Sequence, residues 1–189
     1  MIIDHRGITP LKLGSNWSED GIIALSAKCV KNHELVNLDT ANRVDNELYE
    51  RWMPDKLQPH DILMTSEAPL GEFYYVASYS EYCLSQRLFA LRANQSLIEP
   101  SVLYYQLTDT IGLHEIDVRK TGTTVFGIRQ SELVKVPIVL PPKAVQKDFA
   151  SLCDPILLEI ERNADQCRKL TKIQNLLFSG FQADIAKGA

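Results

Sequence analysis

From Lys143 to Ser179 the sequence contains no glycine and a single proline, Pro155, and its apolar residues fall on a heptad. Phe149, Ile156, Asn163, Leu170 and Leu177 recur every seventh residue, and Cys153, Ile160, Cys167 and Gln174 follow four residues behind, the two seams of a heptad. About 35 residues in one helix span roughly 50 Å at ~1.5 Å per residue. Leu152, Ala164 and Ile173 broaden the stripe, so one face is expected to pack on a globular head or on further helices. Pro155 has no backbone N–H and is expected to kink the helix or divide it after its first turns. One reading folds this helix back on its own domain. Its length favours the other, an arm that joins two chains, with Asn163 fixing the register.

A chain of 189 residues has room for one globular domain plus that extension, and 45% apolar residues is ample for one core. The four cysteines and four histidines are scattered without the paired spacing of a zinc site. Ile2-Ile3 is followed at once by Asp4, His5 and Arg6, which is not the start of a secretory signal. No run approaches the ~20 apolar residues of a membrane helix. The expected location is cytoplasmic.

Upstream of residue 143 the pattern is mixed. Residues 22–26, 61–65, 73–78 and 84–92 read as short strands, and Pro100 opens a helical window over 100–109. Residues 123–128 are β-rich, Ser131 is a plausible N-cap for a helical turn over 132–134, and an apolar strand, Ile138-Val139-Leu140, runs into Pro141-Pro142. Strands interrupted irregularly by helical pieces predict an α+β fold. The expected organisation is a mixed α/β head over 1–142, a long coiled-coil-type helix over 143–180 and a tail over 181–189.

The net charge of −4 is unevenly spread: residues 143–189 carry +1, so the head carries −5. Within the head, residues 118–136 hold Arg119, Lys120, Arg129 and Lys135 against Glu132 alone, a local +3. Phosphate contact needs only such a local basic face. Catalytic patterns are missing. Pro54-Asp55 lacks the acid-x-Lys partner of metal-dependent nucleases, Pro141-Pro142 lacks the flanking Asn or Asp and aromatic of amino-group methyltransferases, and no phosphate loop, GxGxxG or Gly-x-Ser-x-Gly elbow occurs.

Seven strings then occur in order: DHRGITPLK (4–12), LSAKCVK (25–31), ERWMP (50–54), DILMTSEAPLG (61–71), CLSQRLFALR (83–92), TGTTVFGIRQSEL (121–133) and PIVLPP (137–142), ahead of a helix ending near LLFSG (176–180). Together, over about residues 4–180, they resemble one half of the specificity subunit of Type I restriction–modification systems. The resemblance implies a target-recognition domain followed by a conserved helix. In the full subunit two such domains are held apart by two antiparallel helices, and each reads one half of a split DNA target. The helices also dock the modification subunits, which bind S-adenosylmethionine and methylate adenine. The present chain holds one recognition domain and one helix.

The resemblance implies a non-catalytic recognition subunit without a cofactor of its own. Its partners would be double-stranded DNA, the methyltransferase subunit and the restriction translocase, with a homodimer through the helix. The alternative is a protein-interaction adaptor that keeps the helix and has lost DNA reading; an autonomous DNA enzyme is disfavoured by the missing motifs. Arg6, Lys28, Arg119 and Lys120 are expected on DNA phosphates, and Thr123 and Thr124 beside Gly122 can present hydroxyls and N–H groups to a phosphate. Gln86-Arg87, within an apolar strand, and Arg129-Gln130, before a helix start, are candidates for base edges. The plainer alternatives are an Arg87–Glu67 pair, a simple hairpin at 121–124 and helix capping at 129–130. Trp17, Trp52, Tyr74, Tyr75, Tyr104 and Tyr105 read as core or rim. Phe149, Leu152, Ile156, Ile160, Asn163, Cys167, Leu170, Ile173 and Leu177 are the expected dimerisation and docking positions.

Overall fold

Apolar runs on either side of Thr65 and Phe73 form the central sheet. A computed structural model describes the backbone of residues 1–188 and the side chains through Gln182. Its strands are β1 (Ile2–Asp4), β2 (Ile22–Leu25), β3 (Val30–Lys31), β4 (Glu34–Leu35), β5 (Arg43–Val44), β6 (Ile62–Ser66), β7 (Leu70–Tyr75), β8 (Tyr82–Leu84) and β9 (Leu88–Leu91). The helices are α1 (Asn46–Trp52), α2 (Pro100–Thr108), α3 (Thr110–Asp117), α4 (Gln130–Leu133) and α5 (Lys143–Gly188). The main sheet has the order β1-β9-β6-β7, antiparallel throughout. A second sheet, β5-β2-β8, contains the parallel pair β2–β8, and β3–β4 forms a small hairpin. The architecture is the expected α+β head with a long C-terminal helix.

The main sheet is covered on both faces, which explains why its strands read as nearly unbroken apolar runs rather than alternating ones. Side chains alternate across a strand. Leu63, Tyr74, Leu88 and Ala90 therefore join one core with Leu25, Leu48, Trp52 and Leu84. Ile62, Met64, Phe73, Tyr75, Phe89 and Leu91 join the other, beneath Tyr104, Leu107, Ile116, Leu133 and Leu157 of the helices. Pro100 stands at the first turn of α2, as its fixed φ allows. Asp45 and Asp109 cap α1 and α3, accepting from Leu48 N at 2.7 Å and Gly112 N at 2.6 Å.

Several expectations are corrected. The strand expected over 84–92 is two strands: the chain turns at Ser85-Gln86-Arg87, and Arg87 takes the left-handed conformation at φ 66°. Residues 123–128 make only isolated bridges at Gly127, to Thr121 and Glu67. Ser131 is not the cap of α4; Arg129 holds that position with extended backbone and no side-chain cap bond, and Ser131 lies inside the helix. Ile138–Leu140 is not a strand. The Gln106 side chain takes up both of Val139's backbone groups instead, each at 2.8 Å.

Pro155 does not divide the arm: α5 is one 46-residue helix that also passes Gly180. The residues expected as a tail continue it to Gly188, and Ala189 lies outside the described residues. The reading that folds this helix back on its own domain holds for one of its faces, and a second face is left open to solvent. One face lies on the head through buried Gln146, Ala150 and Leu157 and through bonded Glu161 and Arg168. About a third of a turn away, Leu152, Ile156, Ile160, Leu170, Ile173 and Leu177 are exposed, as are Asn163 and Cys167. Phe149, between the faces, packs edge-on against Tyr105 at 5.5 Å. None of the described helices is long and apolar enough to cross a membrane.

Candidate nucleic-acid interface

The turn between β8 and β9 is pinned through its backbone, which leaves two of its three side chains, Gln86 and Arg87, outside. Ser85 N donates to Leu25 O at 2.7 Å, Ala27 N to Gln86 O at 3.1 Å and Ser66 N to Arg87 O at 2.8 Å. Gln86 and Arg87 therefore project from the head. Arg87 Nε lies 3.3 Å from Glu67 Oε1, and both side chains are about half exposed (49% and 42%). An exposed pair of this kind contributes only ~0–1 kcal/mol, so either partner is readily recruited by a ligand.

Beside this turn, residues 121–127 form a closed loop. Thr121 and Gly127 exchange backbone hydrogen bonds of 2.7 and 2.9 Å, and Ile128 N donates to Ser66 O at 2.9 Å, tying the loop to the end of β6. Two glycines make it possible. Gly122 has φ 111°, and a Cβ there would fall 2.1 Å from Val125 O; a Cβ on Gly127 would meet Ser66 O at 2.9 Å. Thr123, Thr124, Val125 and Phe126 are exposed at the tip.

The loop, the end of β6 and Arg6, just after β1, border an open cleft of about 310 Å³ lined by Arg6, Ser66, Glu67, Thr121, Gly122 and Arg129 among others. Arg6 is held by a fork to Asp4 (2.9 and 2.8 Å) and lies 3.9 Å over the Phe89 ring. Burial pushes the Asp4 carboxyl up, but the hydrogen bonds and charge of Arg6 outweigh this and hold it below its ordinary value. The Ser66 hydroxyl is buried with no hydrogen-bond partner among the described residues. Arg129 is exposed and makes no ion pair among them. The cleft thus offers one anchored guanidinium, one free guanidinium and an unused hydroxyl.

The other expected residues lie around it or away from it. Lys28 and Gln86 line a second cleft of about 390 Å³ across the turn, with Trp17, Asn37 and Asn42. Gln130 is exposed at the start of α4. Arg119 is tied to Glu115, Lys120 to Asp117 (2.6 Å) and Lys135 to Glu132 (2.8 Å). Lys120 also sits 4.9 Å over the Phe126 ring, in a groove separate from the cleft. The local positive excess is therefore smaller in space than in sequence. Ser66, Asn37 and Asn42 are site residues that sequence reasoning missed. Asn37, at φ 56°, donates to Lys28 O at 2.9 Å, a local turn bond that hydropathy does not signal. Trp17 is exposed rim, while Trp52, Tyr74, Tyr75 and Tyr104 are core.

A head bearing two polar clefts, carried on a helix with an exposed apolar stripe, is the build of a recognition module on an arm. The family model described as "Type I restriction modification DNA specificity domain" matches residues 41–170, across head and arm, and the chain belongs to that family. Among solved structures it is similar to a chain from "Structural basis underlying complex assembly and conformational transition of the type I R-M system". The TM-score is 0.54 and the identity 22%, over 91% of this chain and 40% of that one. At that identity the likeness is one of fold. The present chain spans about two fifths of the length of the structure it matches. No curated protein matches the sequence.

Proposed function

We propose that this chain is a DNA-reading specificity subunit, or half of one, in a Type I restriction–modification complex. It would itself be non-catalytic and cytoplasmic. In this reading it directs a separate adenine methyltransferase and a restriction translocase to a split target. The carrying observation is the cleft beside the β8–β9 turn, where the free Arg129 and the glycine-shaped loop face solvent above the buried, unpartnered Ser66 hydroxyl in a member of the DNA specificity family. Arg6, Lys28, Thr123 and Thr124 suit phosphate; Gln86, Arg87, Arg129 and Gln130 suit base edges. S-adenosylmethionine belongs to the partner methyltransferase.

The outward stripe of α5 supports pairing with a second copy as well as docking of the modification subunit. A symmetric pair would prefer inverted half-sites around an unread spacer. Selection from random duplexes tests this, and recovery of one contiguous site, or of no site, contradicts it. The adaptor reading is favoured by one observation: the ion pairs of Arg119, Lys120 and Lys135 shrink the basic surface. A gel shift across salt separates the two, since phosphate contacts give a log–log slope of about −0.9 each and an adaptor gives no shift.

A further inference from the structure

Between the head and α5 lies a cavity of about 400 Å³ that the DNA reading does not use. Its floor is aromatic, with Tyr74, Tyr75 and Tyr104 buried beneath it and Tyr105 at its rim. The Tyr75 and Tyr104 rings are 5.2 Å apart and those of Tyr104 and Tyr105 5.4 Å. Burial and the hydrogen bond to Glu161 hold the Tyr74 phenol well above its ordinary value, so it stays a neutral donor.

The charge around the cavity is negative: Glu34, Asp109 and Glu161 line it against a single guanidinium, that of Arg168. Arg168 is already engaged, donating to Leu35 O at 3.0 Å and approaching Asp165 at 3.4 Å. Glu161 is used on one side only. The Tyr74 hydroxyl (2.5 Å) and Ala77 N (3.2 Å) both donate to Oε1, while Oε2 is buried with no partner among the described residues. Buried carboxylate oxygens rarely go without a donor, and Glu161 is one of the residues that line the open volume.

We propose that this cavity is a binding site for a guanidinium group. A flat guanidinium can stack on a tyrosine ring while its N–H groups reach the Glu161 carboxylate, so that one planar group supplies the cation, the ring contact and the donors together. Two sources carry that chemistry: an arginine side chain of another polypeptide, or a free guanidino compound. Ile160 lies both on the cavity wall and on the exposed stripe of α5, so a polypeptide lying on the arm passes the mouth.

Titration of the full chain with Nα-acetylarginine methylamide, followed by tyrosine ring NMR shifts, tests the site. Saturable binding is expected, with the neutral citrulline analogue at least tenfold weaker. Glu161→Gln keeps an oxygen for Tyr74 and Ala77 and should weaken binding at least tenfold; Glu34→Gln, at the exposed rim, should weaken it severalfold and guards against loss of fold in the first variant. Tighter binding of the amide than of agmatine supports a side chain as occupant, and the reverse supports a free compound. Failure to saturate, equal binding of the citrulline analogue, or binding unchanged in both variants would overturn the proposal.

Discussion

The cleft on the head and the outward stripe of α5 are both open to solvent, but in opposite chemical senses. The cleft leaves polar groups without partners, namely the Arg129 guanidinium and the Ser66 hydroxyl. The stripe leaves large apolar side chains in water, with Leu152 70% and Leu177 71% exposed. The head-facing side of the same helix is the reverse: it meets the head partly through polar groups, with Gln146 bonded to Glu99 N, Leu97 O and Pro141 O. A helix built only to cover its own domain would turn its apolar stripe inward. The arrangement points the head at a polar, charged ligand and the arm at protein, and the two should be separable by mutation.

The largest effect belongs to the arm. Leu170→Glu combined with Leu177→Glu places charge in the stripe, and self-association should weaken at least 100-fold, about 3 kcal/mol, by sedimentation. The head should melt as before, because neither side chain lies in its cores. Gly122→Val comes next, affecting only the cleft. A β-branched residue at φ 111° against Val125 O costs about 1–3 kcal/mol of local strain, expected as loss of DNA affinity with assembly intact.

Arg119→Ala should have a smaller effect, within ~1 kcal/mol on DNA, because its charge is already shared with Glu115. The smallest is a pH effect. Burial holds His5 below its ordinary value, against the pull of Asp4 and Asp55. Neutral His5 therefore contributes stability above the unfolded value of about 6.5, and the contribution is lost as pH falls through the lower folded value. The melting temperature should decline below about pH 6.5, and His5→Gln should flatten that decline.

Much of the fold is legible in the sequence where burial leaves an apolar signature. The runs at 61–65 and 73–78 mark strands with two covered faces, and the heptad marks α5. The break inside 84–92 is not legible, because Ser85-Gln86-Arg87 contains neither glycine nor proline and its left-handed residue is an arginine. The head-facing side of α5 is equally hidden, since Gln146, Glu161 and Arg168 read as solvated positions until their partners are known. The charge excess at 118–136 misleads for a helical reason. Glu115 and Asp117, which pair with Arg119 and Lys120 at i,i+4 and i,i+3, lie just before the window. The Arg87–Glu67 pair, offered by the sequence as the plainer alternative, is present. Its Glu67 partner lines the cleft with Arg129, which keeps Arg87 at the edge of the cleft.

Under the proposed function, the head reads DNA sequence through the cleft beside the β8–β9 turn. The most direct test compares Arg129→Ala with the unaltered chain on a selected target and on random duplex, at matched salt. A loss of about 1–3 kcal/mol is expected on the target, with a smaller loss on random duplex and relaxed choice at one base pair per half-site. Equal losses on both duplexes, or none on either, would contradict it.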